Sequence, residues 1–426
     1  MNSPVVHNEI RTVTYPSGDL QRVQIVRAAD FRSLDFYRPS FSRQALESLY
    51  EVYRDEIIPL APALFGEVFI FHIPSDMFLP FDDYGMSDRH AAARRYLTEN
   101  YPDAPSRAFL EQLRHNGYLY QLKGKNPLRK SFVAYGDDIG FLSQDNDSAL
   151  RVNASFFTFD LMDATSCYDI FGTPIGLMVK DGRILNPPLF GREALLVDNN
   201  GEVTVTTVSL DQLTLNIKGT IYQRPNQNKT PESDNDDLVI IGNRIVAVNP
   251  GGRSVIPSSG FIINTPEKHS PGEEVIYGGL EDIVFGLQVG NSVVVNGIKT
   301  EKFISPFYNI RKLHKITYPP ALFPLDFNRD RAPRIVLGAD DENRPVLLWL
   351  EGAPKTGYRK GTDSCGATMK ETADIAFDLE LRNAITLDGG GSAQILINGC
   401  RQLAVSGRYC DGRQKERAVP VGLKID

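Results

Sequence analysis

Short apolar runs broken by glycine-bearing turns dominate the chain from about Asn153 to its end. Residues 175–179 and Ile184 flank Asp181-Gly182, residues 194–197 and 203–208 flank Asn200-Gly201, and residues 292–295 precede Asn296-Gly297. Asn398-Gly399 closes a fourth unit of this kind. Asn-Gly and Asp-Gly accept the positive φ that a two-residue hairpin needs, so the pattern predicts antiparallel pairing. Residues 334–337 and 346–350 read as further buried strands. Thr368-Met-Lys-Glu371 has capping-box spacing, and Met369, Thr372, Ala373, Ala376 and Leu379 supply an apolar stripe. That combination predicts one helix across 368–381. The expected class is α+β, with a largely antiparallel β-sheet core and flanking helices.

The first 150 residues read differently. Leu46, Leu49, Tyr50, Tyr53 and Ile57 form a helical stripe ending at Pro59, and residues 89–97 and 106–115 predict two more helices, the latter stopped by Gly117. Strand-like pieces at 23–26, 67–72 and 131–135 lie around them. The expectation is a more helical N-terminal region of unknown role over 1–145, then a second unit over 146–426. The first region is either a separate domain or an elaboration whose strands join the main sheet. Residues 223–237, polar and rich in Asn, Pro and Asp, predict an exposed insertion.

Composition narrows the function classes. A chain of 426 residues with 42% hydrophobic and 23% charged positions can bury a large core. A net charge of −7 argues against nucleic-acid partners, so an anionic ligand needs a local cationic pocket. No apolar run reaches membrane-spanning length. Residues 1–19 are polar and lack a signal-peptide core, which predicts a cytoplasmic location, with export by a non-standard route left open. Cys167, Cys365, Cys400 and Cys410 lack zinc spacing and are expected as free thiols, although Cys400 and Cys410 flank a short loop. Six scattered histidines, with no HExxH, Walker A or dinucleotide fingerprint, indicate no metal site and no required cofactor, and dependence on a divalent cation stays open. Asp340, Asp341 and Glu342 read as a solvated turn. Oligomeric state stays open.

Candidate chemistry concentrates in residues 383–399. An apolar strand (384–387) runs into Asp388, three glycines and Ser392, and a second apolar strand follows at 393–397. Gly389, Gly390 and Gly391 let the backbone take positive φ and approach a ligand, and their N–H groups can form an anion-binding nest. Asp388 is then a carboxylate beside a potential oxyanion cradle. The plain alternative is a tight turn capped by Asp388.

The ordered motifs resemble those of the phosphodiester glycosidase family over roughly 150–426. Leu387-Asp-Gly-Gly-Gly-Ser392 followed by Ile397-Asn-Gly399 looks like the family's hallmark, and Asn153-Ala-Ser-Phe-Phe157 resembles its Asn-Gly-Gly-Phe-Phe. Thr173-Pro-Ile-Gly176 with Asp181-Gly182, Ile256-Pro-Ser-Ser-Gly-Phe261, Pro333-Arg-Ile-Val-Leu-Gly338 and Glu416-Arg-Ala-Val-Pro420 are similar to further family segments. Ala154, Ser155 and Ile335 depart from the pattern and would reshape a sugar pocket. The resemblance implies hydrolysis of a sugar-1-phosphate diester, in a glycan or sugar-phosphate polymer. Asp388 would be nucleophile or general base, with Glu416 the second acid. Arg334 and Arg417 would hold the phosphate, Gly389 to Gly391 and Ser392 would donate to phosphate or sugar, and Asn153 and Phe157 would contact the sugar. Each residue has a structural alternative. Arg334 and Glu416 suit ion pairs, Arg417 a solvated basic loop, Phe157 the core, and Asn153 a strand-end turn. Two other functions use the same fold: a non-catalytic glycan- or phosphate-binding module of a surface or virion assembly, and a relative that transfers the glycosyl unit to an acceptor other than water.

Overall fold

The computed structural model describes residues 7–39, 142–144, 148–157, 173–189, 191–222, 232–252, 254, 256–257, 259–303, 328–354, 357–407, 414, 416–417 and 419–426. Every strand pair within the sheets of this set is antiparallel. Turn chemistry explains much of this. Asp181-Gly182, Asn296-Gly297 and Asn398-Gly399 carry φ of +47/+74, +50/+72 and +47/+75, the doubly left-handed geometry that two-residue hairpins favour. Lys218-Gly219, at +50/+90, makes a further turn of this kind that the residue pattern does not announce, because lysine is no turn signal. Asn200-Gly201 differs. Only Gly201 is left-handed there, and the Asp198 carboxylate accepts the N–H groups of Asn200 (2.8 Å) and Glu202 (2.9 Å).

The largest sheet has seven strands in the order His7–Thr14, Leu20–Arg27, Pro345–Leu350, Arg334–Ala339, Asn383–Thr386, Ser292–Val295, Ile298–Lys299. One five-stranded sheet runs Cys400–Arg401, Ile395–Ile397, Leu150–Asn153, Gly422–Ile425, Asp35–Tyr37. Another runs Val203–Val208, Arg192–Asp198, Ile283–Leu287, Met178–Lys180, Arg183–Asn186. Inward side chains from all three meet in one core that includes Ile335, Leu337, Trp349, Ile385, Val152, Ile395, Leu423, Leu195 and Phe285. Because side chains alternate along a strand, Val336, Leu348 and Ala384 point to the opposite face. There they pack on Met369, Ala373 and Ala376 of the helix Met369–Asp378. Burial on both faces is why these central strands are continuously apolar.

That helix begins as the capping box predicts: Thr368 Oγ1 accepts the Glu371 N–H at 3.1 Å, and Glu371 accepts the Thr368 N–H at 2.9 Å. It ends at Asp378, short of the expected 381. Glu380 adopts φ +61, and the Leu381 N–H turns back to the Ala376 carbonyl. Thr368→Ala is expected to lower unfolding stability by about 1 kcal/mol in a denaturant titration. An unchanged midpoint would show that the box adds nothing.

Met369–Asp378 is the one α-helix among the described residues, so the fold is mostly antiparallel β with very little helix. The helices expected at 46–57, 89–97 and 106–115, and the strands at 67–72 and 131–135, lie outside the described residues. Strands from residues 7–37 pair into the sheets of the later chain, as Val23 with Leu350 and Phe36 with Leu423. The exposed insertion expected over 223–237 needs correction. Residues 223–231 lie outside the described set, but Glu232–Ile241 is a strand, and Asp237 is fully buried. Its carboxyl oxygens accept Ser254 N–H at 3.0 Å and the Asn264 amide at 2.7 Å, which offsets the cost of burying a polar group there.

Candidate functional site

Residues 387–395 carry the chain from the seven-stranded sheet into a five-stranded one. Leu387 N–H is still on the ladder, donating to the Ile335 carbonyl at 2.9 Å. One residue later the Asp388 N–H donates to the Ala154 carbonyl at 3.0 Å, across to the second sheet. Gly390–Ser392 then make a single 3-10 turn, and the next strand begins at Ile395, two residues later than the apolar pattern implies. The glycine segment is therefore a bridge between sheets rather than a strand-to-strand turn. Gly390 has φ +59 and donates to the Pro333 carbonyl at 2.9 Å, while a Cβ on Gly389 would lie 2.7 Å from that oxygen. Only glycine brings the backbone so close.

The Asp388 carboxyl sits at this junction. Burial pushes it up to about 6, opposed by the Ser392 hydroxyl, the Arg417 guanidinium and the Gly389 N–H, each of which favours the ionised form. Arg417 lies against the glycine turn: a Cβ on Gly391 would stand 2.7 Å from its Cζ and Nη2 and 3.0 Å from its Nε. A planar cation thus covers a residue without a side chain, beside Asp388, a residue that as a whole keeps partial solvent access. Ser392 is fully buried, and its hydroxyl completes no hydrogen bond of normal geometry with a described group.

A second layer holds this arrangement. Asn153 Nδ2 donates to the Asp388 carbonyl at 2.6 Å, and its Oδ1 accepts the Gln394 N–H at 2.9 Å. The Asn153 amide, expected at the sugar, is thus used on the backbone at each end of the glycine segment. Gln394, fully buried, accepts from Arg401 Nη1 at 3.0 Å and donates weakly to the Arg417 carbonyl at 3.4 Å. Glu416 accepts Ser143 N–H at 3.1 Å and pairs with Arg401 at 2.8 Å, and Ser143 Oγ also reaches it. Neighbouring side chains therefore diverge, Glu416 toward Ser143 and Arg401, Arg417 toward Gly391. Gln394, Arg401 and Ser143 are absent from the residues that the sequence singles out. The available signal was a polar residue, Gln394, inside an apolar run.

Arg334 is nearly buried, and burial pulls its guanidinium down to about 10, offset in part by Asp330. Its Nε donates to the Ala367 carbonyl at 3.0 Å and its Nη2 to the Asp330 carbonyl at 2.9 Å. These bonds brace the segment whose Pro333 carbonyl receives Gly390. Phe157 is buried and paired in register with Pro174, while its neighbour Phe156 packs against the inter-sheet core. Of the expected set, the structure brings together Asp388, the three glycines, Ser392, Arg417 and, through its amide, Asn153; Glu416, Arg334 and Phe157 face other partners. Ala154 is buried and ties both Asp388 and Val421 through its backbone, and Ser155 is buried with a hydroxyl that bonds no described group.

Among the described residues, no group of three or more His, Cys, Asp or Glu could hold a metal ion. Cys365 is a buried and Cys400 an exposed free thiol; Cys167 and Cys410 lie outside the described residues. Asp340 shapes a turn, accepting the N–H groups of Glu342 (3.1 Å) and Arg344 (2.9 Å). No helix among the described residues is long and apolar enough to cross a membrane.

The family model described as phosphodiester glycosidase matches residues 146–425. Comparison with curated proteins gives no match. Among solved structures, a hypothetical protein from Synechocystis is 14% identical, covering 98% of this chain and 61% of that one, with a TM-score of 0.44. The catalytic domain of zebrafish N-acetylglucosamine-1-phosphodiester alpha-N-acetylglucosaminidase, auto-inhibited by its pro-peptide, is 13% identical. That alignment covers 100% of this chain and 84% of the zebrafish one, with a TM-score of 0.41. A protein of Burkholderia pseudomallei K96243 is 15% identical, with coverages of 100% and 97% and a TM-score of 0.41.

Proposed function

The chain belongs to the phosphodiester glycosidase family, and on that premise we propose that it hydrolyses a glycosyl phosphodiester at the bond between the anomeric carbon and the phosphate oxygen. One observation carries the residue assignment: the Asp388 carboxyl and the Arg417 guanidinium meet at the Gly389–Gly391 turn.

The chemistry suits those parts. A phosphate monoester leaves as a stable anion, so the departing oxygen needs a localised positive charge more than a proton. Arg417 supplies a planar, bidentate-capable cation for it. The sugar side develops oxocarbenium character, which a carboxylate stabilises either by attacking the carbon or by deprotonating the attacking water. Asp388 takes that role, and water completes the products, a reducing sugar and a phosphate monoester. Asn153 holds Asp388 from behind, and the Glu416–Arg401–Gln394 chain supports the backbone at Arg417. We assign Glu416 to this bracing because Ser143 and Arg401 occupy both its oxygens. No metal or cofactor is required in this scheme.

A panel of sugar-1-phosphate diesters, assayed with and without chelator for released reducing sugar, tests the reading. At least one diester should turn over at a rate that chelator leaves unchanged. Binding without release would indicate a non-catalytic module, and products that change with an added alcohol would indicate transfer.

The raised Asp388 also sets a pH dependence. Its carboxyl is neutral below about 6 and ionised above it. The rate should therefore rise with pH through about 6 to a plateau, lying about tenfold below that plateau one unit lower. A profile flat from pH 4 to 8 would remove Asp388 from the rate-determining chemistry.

A further inference from the structure

The strand His7–Thr14 ends the seven-stranded sheet, and no described strand pairs with its outer side. Eight residues long and in full register with Leu20–Arg27, it has neither Pro nor Lys, and Ile10 is 44% exposed. Such an edge offers a row of backbone donors and acceptors, which proteins normally shorten, bulge, cover or protect with Pro and charged side chains, lysine above all. This one instead alternates charge: Glu9 and Arg11 lie two apart on one face, 3.0 Å from each other, and Arg27 also bonds Glu9 at 2.9 Å.

That alternation matches the edge to itself. When two copies pair antiparallel about a two-fold axis, the residue on the axis faces its own counterpart and its neighbours face each other reciprocally. Registers centred between residues set an outward-turned amide against an inward-turned one and form no ladder. Centring on Glu9 opposes Glu9 to Glu9, and centring on Arg11 opposes Arg11 to Arg11; both place like charges directly across. Centring on Ile10 places Glu9 of each copy opposite Arg11 of the other, twice. It also joins the two exposed Ile10 side chains and sets Asn8 across from Thr12.

We propose that a second copy of this chain occupies this edge in that register, joining two seven-stranded sheets into one continuous antiparallel sheet of a two-fold dimer. The hairpin uses none of the residues assigned to hydrolysis, so the dimer stands or falls apart from that reading.

Sedimentation velocity on the full chain across a wide concentration series tests it. The native chain should sediment at twice its monomer mass, and Ile10→Lys should raise the dissociation constant at least about tenfold by placing two cations on the axis. Glu9→Arg and Arg11→Glu should each be monomeric alone. Mixed together they should form a heterodimer, because each then faces the opposite charges. Melting curves establish that each variant is folded, and Ile10→Lys leaves the Glu9–Arg11–Arg27 cluster intact should Glu9→Arg disturb the hairpin. A native monomer at every concentration, a dimer indifferent to Ile10→Lys, or failure of the mixture to associate overturns the proposal.

Discussion

Asp388→Asn is expected to reduce turnover of a glycosyl phosphodiester at least about 10³-fold while making the protein more stable. Both effects have one origin. Burial holds the Asp388 carboxyl at about 6, above its ordinary value of 3.8, so the folded protein prefers the neutral form. At pH 7 the group is nevertheless ionised, and that ionised form is the one the proposed hydrolysis uses. The sign follows: the penalty is absent below about pH 3.8, grows as pH rises toward 6, and is complete above it. A rise from 3.8 to about 6 corresponds to roughly 3 kcal/mol at most, with partial solvent access reducing it. Asparagine keeps the shape without the charge, so its denaturation midpoint should exceed the parent's at pH 7 and converge with it near pH 4. An active, folded variant would remove Asp388 from the mechanism. An inactive variant of unchanged stability would show that the carboxylate is already well solvated.

Arg417→Ala is expected to weaken processing of phosphate-bearing substrates by about 10²–10³-fold, the scale of a lost bidentate charge-assisted contact in a partly buried site. Neutral aryl glycosides should change far less. Equal losses on both substrate classes would mean that Arg417 only supports the loop. Lysine should restore little, because a point charge on a flexible stem does not reproduce the planar fork. Gly391→Ala approaches the same question from the other side. Its new Cβ would meet the Arg417 guanidinium at 2.7 Å, and the end of a long side chain can move aside. The variant should therefore melt close to the parent and share the phosphate-selective defect. Gly389→Ala instead meets the Pro333 backbone oxygen at 2.7 Å, which cannot move as freely, and should lose stability as well.

How far the residues spoke for themselves depended on the distance over which their physics acts. The strands at 194–197 and 334–337, the left-handed turns at Asp181-Gly182, Asn296-Gly297 and Asn398-Gly399 and the capped helix were legible, because each rests on contacts a few residues apart. The run 175–179 instead divides between Pro174–Ile175 and Met178–Lys180, in different sheets. The early end of the helix was not, since Glu380 enters the left-handed region without a glycine to announce it. Nor was the strand Glu232–Ile241, where polar residues are carried by partners elsewhere in the chain, Asn264 across the ladder and Ser254 and Lys268 just beyond the neighbouring strands.

The candidate site divides along the same line. Asp388 and its glycines could be singled out from the chain itself, because an acid ahead of three residues without side chains has few uses. Tertiary structure decided which distant groups join them. Arg417 reaches Gly391, whereas Glu416, its immediate neighbour, turns away to Ser143 and Arg401, and Arg334 donates to the Ala367 and Asp330 carbonyls. Adjacent side chains leave an extended backbone in opposite directions, and which of them meets the glycine turn depends on how two sheets dock across a crossover. Local sequence determines turns, caps and alternation; the docking angle between sheets, and therefore the cation that faces the carboxylate, arises only when the whole core packs.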